Sequence, residues 1–197
     1  MSTTTAPMSL RTARAVATEM IEALRPYCHR VEVAGSIRRG KAWVNDIEIV
    51  AIPKSTVRQP DADIFGEPLG KPTVVRDPGF VMVVDSLAEV IVKGNPQTGR
   101  YIQFVTTDGT KVDLFTATPK TWGYIQLIRT GSADFSRAVA LRWSQLGYKG
   151  VEGQLTRFGK PVPTPEEADL FALLGMNVPR PHERELTTKG LSDWIKK

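Results

Sequence analysis

The chain has few of the residues on which several classes of protein depend. Cys28 is the single cysteine among 197 residues, which excludes an internal disulfide. No apolar run approaches the roughly 20 residues that a membrane-spanning helix needs. The N-terminus also lacks the basic and apolar regions of a secretory signal. From these absences we expect no membrane partner and a cytoplasmic location.

Several common functional motifs are absent as well. The sequence contains no G-x-G-x-x-G loop, Walker A loop or H-E-x-x-H helix. Its two histidines, His29 and His182, are far apart in the sequence, and neither has a second histidine at zinc-ligand spacing. The formal net charge of +5 favours polyanions as partners, but this balance alone does not identify one.

Hydrophobic periodicity divides the chain into a mixed first part and a mostly helical second part. We predict a helix from Ser9 to about Pro26, strands at 31–34 and 45–53, and a hairpin of RYIQFVTT and KVDLFTA joined by Asp108-Gly109. Residues 1–8 are predicted to be a frayed tail and 54–78 a long loop, while 80–94 fits a strand or a helix. Three later helices are predicted. The first has Pro119 in its first turn and ends at Thr130-Gly131-Ser132, and the second ends at Gly147. The third begins at Thr164-Pro165-Glu166-Glu167, with Pro165 at its first position, and ends at Gly175.

The stretch GSIRRGKAWVNDIEIV, residues 35–50, carries two carboxylates in an apolar strand. Side chains alternate along a strand, so Asp46 and Glu48 share one face while Ile47 and Ile49 point to the core. The strand KVDLF offers Asp113 in the same pattern. If the two strands are neighbours, three carboxylates converge and require a cation. Oxygen ligands of this kind suit Mg²⁺ or Mn²⁺.

The Gly35-Ser36 step indicates a phosphate site beside these carboxylates. Glycine lets backbone N–H groups approach an anion closely, and the Ser36 hydroxyl adds a donor. The guanidinium groups of Arg38 and Arg39 are suited to phosphate oxygens. A phosphate beside a pair of metal ions is typical of phosphoryl or nucleotidyl transfer.

The order of these motifs resembles the nucleotidyltransferase superfamily and, more narrowly, the family X DNA polymerases, the group that contains DNA polymerase beta. AGSIRRGKAWVNDIEIV is similar to the palm motif of that family, and KVDLF to its third acidic strand. RTGSADFSRAV is similar to its T-G-S turn and the following helix. TPEEADLFALLGMNVPRPHERE is similar to the end of its thumb, including the late P-x-x-R at Pro181 to Arg184.

The resemblance implies an α+β fold: a nucleotidyltransferase-type palm, 1–125, with a mixed sheet and helices on one face, and a small, mostly helical thumb with a hairpin, 126–197. It implies that Asp46, Glu48 and Asp113 hold two Mg²⁺ ions, with Mn²⁺ as an acceptable substitute, and that Asp113 activates the primer 3′-hydroxyl. Nucleotide-binding residues would be Gly35, Ser36, Arg39, Arg129, Gly131 and Ser132. DNA-binding residues would be Arg38, Lys111, which would lie along the primer strand, and Arg137.

The implied function is template-directed DNA synthesis by a monomer. A nucleotide would pass from a nucleoside triphosphate to a DNA 3′-hydroxyl with release of pyrophosphate, in the filling of gaps during DNA repair. Three alternatives stay open: a nucleotidyltransferase with another acceptor (an RNA 3′ end, a small molecule or a protein), a template-independent terminal transferase, and a non-catalytic nucleic-acid-binding protein. In the thumb, a basic set of residues favours contact with the DNA backbone: Arg137, Arg142, Lys149, Arg157 and Lys160.

The sequence departs from the family pattern at three places near the nucleotide, one of which is Ala133 and Ser136 in place of polar residues that commonly face the nucleotide. Glu48 stands where family X polymerases usually carry aspartate. Ile128-Arg129 stands where they often carry Tyr-Phe beside the nucleotide sugar. Because this aromatic wall is absent, we expect weaker exclusion of ribonucleotides.

Overall fold

A five-stranded mixed sheet organises the first part of the molecule, and the computed structural model describes residues 6–65 and 67–185. The strands are β1 (Met8–Ser9), β2 (Cys28–Val33), β3 (Trp43–Val44), β4 (Ile47–Pro53), β5 (Ser55–Arg58), β6 (Thr73–Arg76), β7 (Val90–Lys93), β8 (Tyr101–Val105), β9 (Lys111–Thr116), β10 (Tyr148–Val151), β11 (Gln154–Arg157) and β12 (Lys160–Val162). The α-helices are α1 (Leu10–Leu24), α2 (Gly35–Arg38), α3 (Pro78–Leu87), α4 (Trp122–Thr130), α5 (Ala133–Gln145) and α6 (Glu167–Ala172). Short 3₁₀ helices span Arg25–Tyr27 and Pro181–Arg184.

The large sheet has the strand order β2-β4-β9-β8-β7. Strands β4 and β9 run parallel, and the other neighbouring pairs in this sheet run antiparallel. The predicted α+β fold with a mixed sheet is confirmed. The hairpin predicted through Asp108-Gly109 is confirmed as β8 and β9.

One face of the sheet packs against helices α1 and α3 and forms the main core. Ala13, Ala17, Met20 and Leu24 recur every three or four residues along α1, so that they form one buried stripe. Alternate residues of β4 meet this stripe and are almost fully buried: Ile47, Ile49 and Ala51. The opposite face of the sheet therefore receives the intervening positions, which include Glu48.

The thumb combines the second half of helix α4 and helices α5 and α6 with the three-stranded sheet β10-β11-β12. Leu127, Phe135, Trp143, Leu155 and Phe171 pack together in its core. The predicted thumb hairpin is confirmed, and it carries a third strand that the sequence did not predict. Residues 186–197 of the predicted thumb and residues 1–5 of the predicted tail lie outside the described residues.

Two local predictions were wrong in part, and the structure resolves one choice that the sequence had left open. Met8, the last residue of the predicted tail, instead begins the short strand Met8–Ser9, which pairs with Trp43–Val44. The predicted loop 54–78 contains a β-hairpin, because β5 and β6 pair from Ser55 opposite Arg76 to Arg58 opposite Thr73. The stretch 80–94, which fitted a strand or a helix, contains both. It begins inside helix α3 (Pro78–Leu87) and continues into strand β7 (Val90–Lys93).

The predicted helix starts were correct at Ser9 and wrong at two prolines. The Ser9 hydroxyl accepts a hydrogen bond from the Thr12 N–H (3.2 Å) and caps helix α1. Pro119 lies outside α4, which begins at Trp122, and Pro165 lies outside α6, which begins at Glu167. At α6 the side chain of Asp169 accepts a hydrogen bond from the Glu166 N–H (2.7 Å), so Glu166 is the capping residue. Within the described part of the chain, no helix is long and apolar enough to cross a bilayer.

Candidate active site

The pairing of β4 with β9 brings carboxylates from two distant parts of the chain together. Glu48 lies directly opposite Asp113 in the parallel register, and Asp46 is the residue just before strand β4. Burial raises the pKa of Glu48 to about 7, and the charges of Asp46 and Asp113 act in the same direction. Arg39 and Arg129 partly offset this rise. The three carboxyl groups therefore lie close enough to interact electrostatically, on the sheet face that the alternation of β4 predicted for Asp46 and Glu48.

The ammonium group of Lys111 lies between two of these carboxylates. Its Nζ atom is 3.5 Å from Asp46 Oδ2 and 3.6 Å from Asp113 Oδ2. Among residues 6–65 and 67–185, no three carboxylate, histidine or cysteine side chains form a ready metal site. Lysine supplies the positive charge at this position, where the sequence had predicted a contact with the primer strand.

Two polar residues that sequence reasoning missed hold Asp113 in place. The Tyr101 hydroxyl (2.8 Å) and the Gln103 amide (2.7 Å) both donate to Asp113 Oδ1. Burial and the neighbouring Asp113 keep the pKa of Tyr101 above its usual value, so the phenol stays protonated and able to donate. The register of the predicted hairpin could have identified Gln103 from the sequence, because it places Gln103 directly opposite Asp113. Asp113 Oδ2 is left facing Lys111 and the site.

The Gly35-Ser36 turn lies against Glu48, and only glycine fits its first position. Gly35 has φ +57°, and a Cβ atom built there would lie 1.6 Å from Glu48 Oε2. The hydroxyl oxygen of Ser36 is buried and has no hydrogen-bond partner among the described residues. An unsatisfied buried donor beside a glycine turn is consistent with a ligand that accepts a hydrogen bond there.

The two adjacent arginines are engaged within the protein. Arg39 donates to the carbonyl oxygens of Thr130 (2.6 Å) and Gly131 (3.2 Å) and forms an ion pair with Glu185. Arg38 binds the Glu167 carboxylate through two hydrogen bonds of 2.9 and 2.7 Å. Arg38, predicted to contact DNA, and Arg39, predicted to bind triphosphate, therefore connect the palm to the thumb in this structure.

The remaining predicted residues of the thumb divide between the site and the surface. The Arg129 guanidinium lies 4.0 Å from the centre of the Phe115 ring, and its positive charge lowers the pKa of Glu48. Gly131 and Ser132 form the turn before α5, where the Ser132 hydroxyl accepts a hydrogen bond from the Phe135 N–H (3.2 Å). Arg137 is exposed and pairs with Asp134 (3.0 Å), so the structure does not bring it to the carboxylates.

Tyr101, Phe115 and Arg129 also line a separate cavity of about 910 Å³ between the sheet and the thumb. Tyr101 and Phe115 are stacked, with ring centres 5.0 Å apart. The cavity does not include the three carboxylates. Tyr101, which donates to Asp113, and Arg129, whose charge lowers the pKa of Glu48, therefore border both the cavity and the acidic cluster.

Comparisons with known proteins point to one family. Residues 126–185 match the family described as the DNA polymerase beta thumb. The fold is similar to that of Leishmania infantum polymerase beta in a ternary P/T complex, with a TM-score of 0.68 and 16% sequence identity over 93% of this chain and 78% of that chain. No curated protein matches the sequence significantly. The family match confirms the resemblance for the thumb, and the shared fold confirms a polymerase beta-like architecture for the chain.

Proposed function

We propose that this family X-like chain is a template-directed DNA polymerase that transfers a nucleotide from a nucleoside triphosphate to a DNA 3′-hydroxyl. The observation that carries the proposal is the register of β4 and β9, with Glu48 directly opposite Asp113. Carboxylates on adjacent strands can hold the two metal ions with which polymerases stabilise the attacking and leaving oxygens. The thumb match supports DNA as the substrate, and gap filling in DNA repair is the role we propose.

The acidic cluster fits divalent metal ions by its chemistry. Its donors are carboxylate oxygens, which Mg²⁺ and Mn²⁺ prefer. Their mutual repulsion contributes to the raised pKa of Glu48, and a lysine ammonium already lies between Asp46 and Asp113. Asp46, Glu48 and Asp113 would hold two Mg²⁺ ions, which would stabilise charge on the attacking and leaving oxygens.

Asp113 is the residue that we assign to the 3′-hydroxyl. Tyr101 and Gln103 hold its Oδ1 atom, so Oδ2 is the oxygen available to accept the hydroxyl proton. The freed 3′-oxygen forms a bond to the α-phosphorus, the bond from that phosphorus to the bridging oxygen breaks, and pyrophosphate leaves. Lys111 must move from Oδ2 for this step, and its ammonium then becomes available to the DNA backbone.

The Gly35-Ser36 turn is the proposed triphosphate site. The buried Ser36 hydroxyl would donate to a phosphate oxygen and so gain the partner that it lacks. Arg39 would reach the phosphates only after leaving Glu185 and the Thr130 carbonyl. Nucleotide binding would therefore loosen one connection between palm and thumb.

Primer extension tests the proposal and separates it from the alternatives. We expect extension of a gapped primer-template with the templated nucleotide, and loss of turnover with little loss of DNA binding in Asp113→Asn. Asp85→Asn, which changes an exposed carboxylate of α3, is the matched control and retains activity. Extension that ignores the template would favour a terminal transferase or another acceptor. Full activity of Asp113→Asn would remove Asp113 from the mechanism.

Two further properties belong to the same proposal. A chain with a single cysteine suits the reducing cytoplasm, which we propose as its location. We also propose that it acts as a monomer. Fractionation of the source cells and sedimentation of the purified protein test these two points.

A further inference from the structure

The turn between β11 and β12 places a phenylalanine in a conformation that bulky residues disfavour. Arg157 pairs directly with Lys160, so the turn consists of Phe158 and Gly159 alone. Both have positive φ angles, +50° and +74°, as in a type I′ turn. Asparagine, aspartate and glycine are preferred at the first of these positions, whereas phenylalanine is strained there.

Packing does not account for the strained residue. Phe158 is 84% exposed, so burial of its ring contributes little to folding. The neighbouring turn of the same sheet has the same geometry at Glu152-Gly153, with φ +50° at Glu152. There the side chain has a partner, because Glu152 forms an ion pair with Arg100 (3.6 Å). A strained and exposed aromatic residue is evidence for a function outside the fold.

The side chains around Phe158 are cationic. Arg157 and Lys160 flank the Phe158-Gly159 turn and lie opposite one another. The Arg157 guanidinium is 5.3 Å from the centre of the Phe158 ring. No carboxylate among the described residues forms an ion pair with Arg157 or Lys160.

We propose that residues 157–160, the Phe158 tip, bind single-stranded DNA by stacking. The Phe158 ring stacks on the face of an unpaired base, and Arg157 and Lys160 contact the neighbouring phosphates. An apolar pocket of a protein would also accept a phenylalanine, but the two cations beside the turn, neither in an ion pair with a carboxylate of the described residues, favour a polyanion. The inference rests on the proposed function, because the substrate of a template-directed polymerase contains an unpaired template strand to which the ring could bind.

The test measures DNA binding and stability in the same variants. Asn-Gly is the preferred type I′ sequence, so Phe158→Asn removes the ring and also relieves the strain. We expect its affinity for a fluorescent single-stranded oligonucleotide to fall roughly fivefold or more, by anisotropy without nucleotide or divalent ions. We expect its melting temperature to rise by about 2–4 °C. Phe158→Trp retains the affinity.

The matched control is Phe65→Ala. Phe65 is also 84% exposed, but it lies beside Asp63 and Glu67 in the loop between β5 and β6. Its removal leaves the affinity for DNA unchanged. Lys160→Gln lowers the dependence of affinity on salt, because one phosphate contact is lost.

Two results would overturn the inference. One is wild-type affinity of Phe158→Asn for single-stranded DNA. The other is a fall in both affinity and melting temperature that Phe158→Trp does not reverse, which would indicate a structural role. DNA binding is measured without catalysis, so the two proposals can fail separately. If Phe158→Asn binds DNA like the wild type while primer extension is normal, only the binding role of the Phe158 tip is refuted. If binding depends on Phe158 but the protein extends no primer, only the proposed polymerase activity is refuted.

Discussion

Replacing Glu167 by glutamine tests whether a buried ion-pair cluster joins the palm to the thumb. The Glu167 carboxylate accepts two hydrogen bonds from Arg38 of the palm, at 2.9 and 2.7 Å. It also accepts two hydrogen bonds, of 2.6 and 3.4 Å, from Arg184, whose side chain is fully buried. One carboxylate therefore compensates two guanidinium groups.

The expected loss of stability is large because the charge is buried. Removing one partner of a buried ion pair typically costs about 3–5 kcal/mol, since the remaining charge stays uncompensated. Glutamine has nearly the volume of glutamate, so no cavity contributes to this loss. For a chain of this length, about 2–4 °C of melting temperature corresponds to each kcal/mol, which gives a fall of roughly 6–20 °C.

The adjacent residue provides the control. Glu166 forms an ion pair with Arg30 (2.6 Å), but its side chain is 58% exposed. Exposed pairs contribute about 1 kcal/mol or less, so Glu166→Gln changes stability little. Urea unfolding of both variants measures the difference. A loss in Glu167→Gln no larger than that in Glu166→Gln would refute the role of the buried cluster.

The same carboxylate predicts a dependence on pH. Burial alone would raise the pKa of Glu167, but hydrogen bonds from Arg38 and Arg184 outweigh burial and hold it below its ordinary value of 4.5. Its contribution is therefore complete above that value and is lost as the pH falls through the lower pKa of the folded state. The stability difference between wild type and Glu167→Gln should shrink below about pH 4.5 and stay constant above it.

Three further predictions concern the candidate site and the core. Gly35→Ala places a Cβ atom 1.6 Å from Glu48 Oε2 at φ +57°. We expect it to abolish primer extension and to lower the free energy of unfolding by about 1–2 kcal/mol, and an active variant would contradict the close approach. Burial raises the pKa of Cys28 to about 12. Iodoacetamide should therefore alkylate the native protein far more slowly than the urea-unfolded protein at pH 8, whereas equal rates would show that the thiol is accessible. Ile128-Arg129 provides no aromatic wall, so a competition assay should show weak preference for deoxynucleotides over ribonucleotides, and a strong preference would count against this reasoning.

The local features of the site could be predicted from the sequence. The alternation of Ile47, Glu48 and Ile49 determined that the carboxylate would leave the core face, because successive side chains of a strand point to opposite sides. The Asp108-Gly109 turn determined the β8–β9 hairpin, since its conformation depends on residues that are adjacent in the chain. The helix starts at Pro119 and Pro165 were wrong because a proline can also lie just before a helix, and the choice between the two places depends on the surrounding packing.

The tertiary structure alone decided which distant groups meet. Parallel pairing of β4 with β9 places Glu48 opposite Asp113, and the Lys111 ammonium lies between two carboxylates rather than along a primer. Arg38 binds Glu167, although its sequence context had suggested DNA. The sequence pattern of a strand predicts which face of the sheet a side chain points to, because this depends only on neighbouring residues of the same strand. The partner of a charged group depends on the complete three-dimensional arrangement, because electrostatic and hydrogen-bonding energies are set by distance in space and by burial.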